Sequence, residues 1–267
     1  MLTTDDLRLL NPNTKTCPVF RTRRDADLTK KVYRRVPVLV NEKADKNPWS
    51  VRFATMFHMA NDSHLFETRE EMEAQGFGLR GNRLVKRDEA FLPLYEAKML
   101  SQFNHRHGTF AGVHSDSLFK VKASTNQPEL EDLQDPSFVV LPRYWVPEES
   151  VQNAAYSTWQ HEWFIVFRDV IQPMTNARCS IFNLVPRVGV GHPAPIFMPA
   201  APLYRCIALV GDLNSFVLDY AARRKIGGSH LTYYILKQLP VLAPGDYIPE
   251  VLDFIVPRVV ELPYPAW

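Results

Sequence analysis

The chain has 267 residues, with 31 basic and 29 acidic side chains for a formal net charge of +2, and 46% of its residues are hydrophobic against 22% charged. This ordinary globular usage excludes a disordered, collagenous or coiled-coil protein and is enough for one large domain or two small ones. The longest uncharged stretch, Val188 to Tyr204, is interrupted by Pro193, Pro195, Pro199 and Pro202, so no membrane-spanning helix is expected.

Residues 1–10 carry Asp5 and Asp6 and show no basic start followed by an apolar run, so no secretory signal is expected. Cys17, Cys179 and Cys206 are odd in number and far apart, without a C-x-x-C pair, which argues against a disulfide framework and a structural zinc site. A reducing, cytoplasmic setting fits. The near-neutral total conceals segregation. Between Lys15 and Arg35, eight bases face only Asp25 and Asp27, and between Glu129 and Asp169, eight acids face only Arg143 and Arg168. Such separation suits one face for an anionic partner and another that stays solvated.

In chain order, the Pro-interrupted segment 11–23 leads into a helix near Arg24 to Arg35 that must end before Pro37. Val51 to Met59 alternates like a half-buried strand, and Thr68 with Glu71 forms a capping box that opens a short helix to about Gln75. A basic strand or hairpin follows over about Asn82 to Arg87. Leu92, Tyr95, Met99 and Phe103 recur at helical spacing and predict a helix, whereas the aperiodic stretch 113–134 reads as a mobile loop. Short β-like runs come next, at Phe138 to Leu141, Trp163 to Phe167, Cys179 to Val185 and Cys206 to Val210. The last element is an amphipathic helix from Leu213 to Lys225, expected to pack on the sheet through Phe216, Val217 and Tyr220 and to stop at Gly227 and Gly228.

The expected class is therefore α+β: a twisted, mostly antiparallel sheet with flanking helices, read as one domain over residues 1–267. Several motifs have plain structural readings. GFGLRG at Gly76 to Gly81 matches a dinucleotide fingerprint by letter, but a helix precedes it and a strand follows, so it reads as a helix end and turn. Asp135-Pro136-Ser137-Phe138 and Asn47-Pro48-Trp49 lack the second proline of an amino-methyltransferase loop, and no Gly-rich methyl-donor loop is present. His105-Arg106-His107 has no carboxylate or cysteine at ligand spacing, so no metal site is assigned. Asp88, Glu96 and Lys98 have the residue types of a Mg²⁺-dependent nuclease core.

Cationic segments are the stronger signal. Arg23, Arg24 and Lys30 lie in the basic helix, and Arg223-Arg224-Lys225 precedes Gly227-Gly228-Ser229-His230, a combination of helix-end cations, bare backbone and polar side chains suited to phosphate. Arg187 and His192, within Pro186-Arg187-Val188-Gly189-Val190-Gly191-His192, are base-reading candidates because flanking glycines permit close approach to a groove. Arg143 is another.

Six stretches taken together (NPNTKTCPVFRTRRDADLTKKVYRRVPVL, FATMFHMANDSHLF, FLPLYEAKMLSQFNHRHGTF, FVVLPRYWVP, NLVPRVGVGH and LNSFVLDYAARRKIGGSHLTYYILKQLPVLAP) resemble the region C-terminal to the catalytic domain of large adenine-specific DNA methyltransferases. Those are restriction-modification enzymes of type IIG and related phage-defence methylases. The resemblance implies a target recognition domain, similar in its final helix, GG turn and L-x-Q-L-P segment to type I specificity subunits. It further implies double-stranded DNA as partner and an upstream methyltransferase domain that carries the S-adenosylmethionine site, with no cofactor in this chain and no methylation by it alone. The expected function is noncatalytic DNA recognition, and the alternative is a small nuclease using Asp88, Glu96 and Lys98.

Overall fold

The computed structural model describes residues 2–120, 123–154 and 159–263. In chain order the helices are α1 (Thr4–Leu10), α2 (Arg23–Arg35), α3 (Arg69–Ala74), α4 (Ser115–Leu118), α5 (Leu130–Gln134), α6 (Glu148–Ala154), α7 (Leu203–Leu213), α8 (Phe216–Arg223), α9 (Tyr233–Leu236) and α10 (Pro249–Glu261). The strands are β1 (Arg52–Ala54), β2 (Gly78–Arg80), β3 (Arg83–Lys86), β4 (Glu89–Tyr95), β5 (Trp145–Pro147), β6 (Trp163–Phe167), β7 (Phe182–Pro186), β8 (Gly189–Val190) and β9 (Ile196–Met198). The class is α+β, with antiparallel and mixed sheets. No helix among the described residues is long and apolar enough to cross a membrane.

The chain divides into two compact units. The first comprises Met1–Arg52, Asp169–Phe182 and Pro199–Val260 and is mainly helical. Its interior is built around α7, where Cys206 to Val210 are all buried, with Leu10, Tyr33, Leu39 and Trp49. Two long-range backbone bonds, Leu39 N–H to the Leu239 carbonyl and Val40 N–H to the Lys237 carbonyl (each 2.9 Å), tie its early and late segments together.

The second unit comprises mainly Phe53–Arg168 and Asn183–Met198 and holds the strands. One sheet has the order β1-β9-β6-β7, and the other runs β2-β3-β4-β5, with β8 added parallel to β4 through Leu94–Gly189 and Tyr95–Val190. Gly189 is needed there for space: a Cβ would stand 2.7 Å from Val146 Cγ2 and 3.3 Å from the Pro93 carbonyl oxygen.

Local signals predict several elements well. Thr22 accepts from Asp25 N–H (3.1 Å) to cap α2, which stops at Val36 before Pro37. The reciprocal capping box of Thr68 and Glu71 opens α3, Gly76 (φ +90°) follows its end, and Gly81 (φ +58°) turns the β2–β3 hairpin.

Several expectations are corrected. Leu92 and Tyr95 lie in a strand rather than a helix: Leu92 to Tyr95 are buried at every position, so their apolar spacing reflects a strand covered on both faces, and Phe103 adopts φ +59°. Conversely, Cys206 to Val210 is the buried centre of α7, since a short continuous apolar run is compatible with either element. Within 51–59 the strand spans only Arg52–Ala54, and Phe138 to Leu141 forms no strand.

The predicted helix from Leu213 to Lys225 is two helices. It breaks at Asn214, whose amide exchanges hydrogen bonds with the Phe182 backbone (2.9 and 3.1 Å), and restarts at the Ser215 cap. The break resets the phase, so Leu218, Ala221 and Ala222 are buried while Phe216 is 82% exposed, with the Arg178 guanidinium 4.3 Å from its ring centroid. Stretch 113–134 contains α4 and α5 among its described residues.

Candidate nucleic-acid interface

Helix α2 buries Thr29 and Tyr33 and presents Arg23, Arg24, Asp27, Leu28, Lys31, Arg34 and Arg35 to solvent. These positions recur every three or four residues, so five bases with one acid form a single stripe along roughly 18 Å of helix. Their pairing is weak: Arg23 Nε lies 3.9 Å from Asp27 and Arg34 4.0 Å from Asp6. Lys30 is not part of the stripe. It is largely buried between Asp6 (3.9 Å) and Asp27 (3.3 Å). The Thr3 N–H, with Lys30 and Arg34 nearby, holds the Asp6 carboxyl below the usual carboxylate range.

The second cationic segment separates into different roles. Arg223 donates to Asp219 Oδ2 (2.9 Å) and to the carbonyls of Pro173 (2.7 Å), Asn176 (3.0 Å) and Ala177 (2.6 Å), so its guanidinium is consumed by the fold. Burial raises the Asp219 carboxyl, but the Ser180 N–H, Arg223 and the Cys179 N–H outweigh this and leave it below its ordinary value. Arg224 lies over the Tyr220 ring (4.8 Å) and 3.7 Å from Asp25. Lys225 Nζ donates to the Leu10 carbonyl and to Asn11 Oδ1 (2.5 Å), above the Tyr33 ring, and burial pushes its ammonium down to about 7.

Gly227, Gly228, Ser229 and His230 are exposed, and both glycines have open space where a Cβ would be. The Ser229 carbonyl accepts from Ile171 N–H (2.8 Å), and His230 Nδ1 lies 3.0 Å from Asp169 Oδ2. Arg223 to Gly227 line a cleft of about 750 Å³ together with Cys17, Arg21 and Met174. Sequence reasoning missed Cys17 and Met174 because residues more than 150 positions apart meet only in the folded chain.

In the second unit, Arg143 is buried. Its Nε and Nη2 meet Glu96 at 2.6 and 2.9 Å, and Nη1 donates to the Leu118 and Lys120 carbonyls (3.0 and 3.1 Å). Arg187 stands between β7 and β8, partly exposed, with Nη1 3.7 Å from the solvent-exposed Glu162. His192 stacks on His58 at 4.4 Å and donates its backbone N–H to the Phe57 carbonyl (2.7 Å).

Asp88, Glu96 and Lys98 do not converge as a nuclease core would require. Asp88 occupies the turn before β4 and Glu96 follows its far end, seven strand residues or roughly 25 Å away. Glu96 is held by Arg143, with Lys98 at 3.5 Å, and Lys98 donates to the Ala123 carbonyl (2.7 Å). Among the described residues, no three His, Cys, Asp or Glu side chains cluster as a metal site would need.

No family model and no curated protein matches this sequence. The site therefore has to be read from its own chemistry. That chemistry is a solvent-facing basic helix, a separate cation-lined cleft, and one weakly paired arginine in a turn between strands.

Proposed function

We propose that the chain is a noncatalytic DNA-binding domain that grips the duplex backbone through the exposed stripe of α2. The observation that carries this reading is that Arg23, Arg24, Lys31, Arg34 and Arg35 share one face with Asp27 as its single acid. Phosphate contact needs solvent-facing, weakly paired cations at a spacing that follows a charged rod, and the exposed positions of α2 fit that need. Lys30 and Arg223 are excluded from this role by their internal partners.

Within this reading, Arg187 is the base-reading candidate, because its partner Glu162 is exposed and 3.7 Å away, leaving the guanidinium available to a guanine edge. Arg143 has no such freedom. The resemblance implies that the chain serves as the recognition region of an N6-adenine methyltransferase, with S-adenosylmethionine bound by a separate catalytic domain.

Fluorescence anisotropy with a labelled duplex across a salt series tests the proposal. Weak binding is expected, near the roughly 10⁻⁴ to 10⁻⁶ M of nonspecific complexes, with affinity falling as salt rises. Binding that is absent at low salt, or that is indifferent to salt, would sink it.

A further inference from the structure

The cleft of the first unit is built for a ligand smaller and less uniform than a DNA backbone, and we propose that it binds a mononucleotide, either free or as an unpaired nucleotide of a strand. Its volume, about 750 Å³, falls in the range of small-molecule sites and far exceeds what a lone anion fills. Arg21 and Arg224 line it as cations, Arg224 with Asp25 3.7 Å away, while Arg223 and Lys225 are committed to internal acceptors; among the described residues no carboxylate lines the cleft, which favours an anionic ligand. This is more than helix-end capping, since Arg224 Nε is buried without a hydrogen-bond partner and the segment 16–21 brings Arg21 from elsewhere in the chain.

Asn11, Thr16 and Gln238 add polar groups, and one part of the wall is apolar and uncovered. Val19 and Met174 are each 80% exposed at the cleft, with Pro18 and Ile235 beside them. Side chains of this kind gain by covering a flat apolar body, and a thioether adapts well to an aromatic ring. Arg21 Nη2 rests 3.4 Å from Met174 Sδ, so a guanidinium and the soft apolar surface are already side by side. Gly227 leaves backbone bare at the same cleft, which suits the close approach of phosphate oxygens. Planar heterocycle and phosphate on one small molecule describe a nucleotide.

Gly227→Leu gives a clean test. A Cβ there meets nothing within 4 Å and the backbone is outside the left-handed region, so the variant should fold while placing a bulky side chain at a residue that lines the cleft. Calorimetry on the full chain would compare AMP, ribose 5-phosphate, inorganic phosphate and a short single-stranded oligonucleotide, with thermal unfolding to verify folding. Saturable AMP binding is expected, weakened about tenfold or more by Gly227→Leu and by Arg224→Gln but unchanged by Lys31→Ala. An oligonucleotide that competes with AMP identifies a strand as the source, and one that does not identifies the free nucleotide. The proposal is overturned if neither AMP nor the oligonucleotide binds, if ribose 5-phosphate or phosphate binds as tightly as AMP, or if folded Gly227→Leu binds unchanged. Duplex binding that persists without AMP binding overturns this site alone, and AMP binding without duplex binding overturns only the role of the α2 stripe.

Discussion

Arg143 and Glu96 form a bidentate ion pair inside the second unit, with N to O distances of 2.6 and 2.9 Å. One was a base-reading candidate and the other a metal-ligand candidate, and each satisfies the other. Lone removal of either leaves a buried charge, so Glu96→Ala should cost about 3 to 5 kcal/mol in chemical denaturation. Arg143→Ala should cost about as much without altering the salt slope of DNA binding in the fraction that stays folded. A Glu96→Ala variant as stable as the parent chain would show that the pair is open to solvent.

The reset phase of α8 separates two neighbouring residues. Leu218 is 1% exposed, and Leu218→Ala should lose about 2 to 5 kcal/mol through transfer and cavity costs. Phe216→Ala should lose no more than about 1 kcal/mol, the worth of its contact with the Arg178 guanidinium. Paired denaturant titrations decide this, and a reversed order would restore a continuous helix from Leu213.

Replacing stripe residues should act on DNA binding and leave stability nearly unchanged. Arg24→Ala, Lys31→Ala and Arg35→Ala should each flatten the dependence of log affinity on log salt by about one unit. Arg223→Ala should instead lower stability, because Asp219 and three carbonyls lose their donor. Anisotropy and thermal unfolding on the same four variants give two independent readouts.

Asp212, near the end of α7, accepts from the Leu242 N–H (3.2 Å) and the Tyr247 hydroxyl (3.3 Å), and burial pushes its carboxyl up to about 6. The unfolded value is about 3.9, so between roughly pH 4 and 6 the folded chain holds the extra proton. Its stabilising contribution is complete below that window and is lost as pH rises through about 6. Asp212→Asn, which stays neutral and can still accept a hydrogen bond, should flatten this dependence and gain up to about 3 kcal/mol relative to the parent at pH 7.5. Denaturant midpoints at pH 4.5, 6 and 7.5 would reveal the effect, and parallel curves for the two proteins would refute it.

The features readable without the fold lie within a few residues of their signals: the Thr22 cap and Pro37 stop of α2, the Thr68–Glu71 box of α3, the Gly81 turn and the apolar strand Trp163–Phe167. Capping, φ restriction and turn geometry act locally, so they can be read without the fold. The basic helix was legible for the same reason, but not which of its charges face solvent, since Lys30 turns inward to Asp6 and Asp27. Whether Leu92–Tyr95 and Cys206–Val210 became strand or helix was settled by long-range packing, since a run buried on all sides carries no period to distinguish them. The same packing also decided which cations remain available. Arg143 finds Glu96 47 residues away and Arg223 finds the Pro173 carbonyl 50 residues away, whereas Arg24 and Lys31 stay in solvent. Charge composition counts all of these alike, but desolvation and distant acceptors convert some into structure and leave the rest for a ligand.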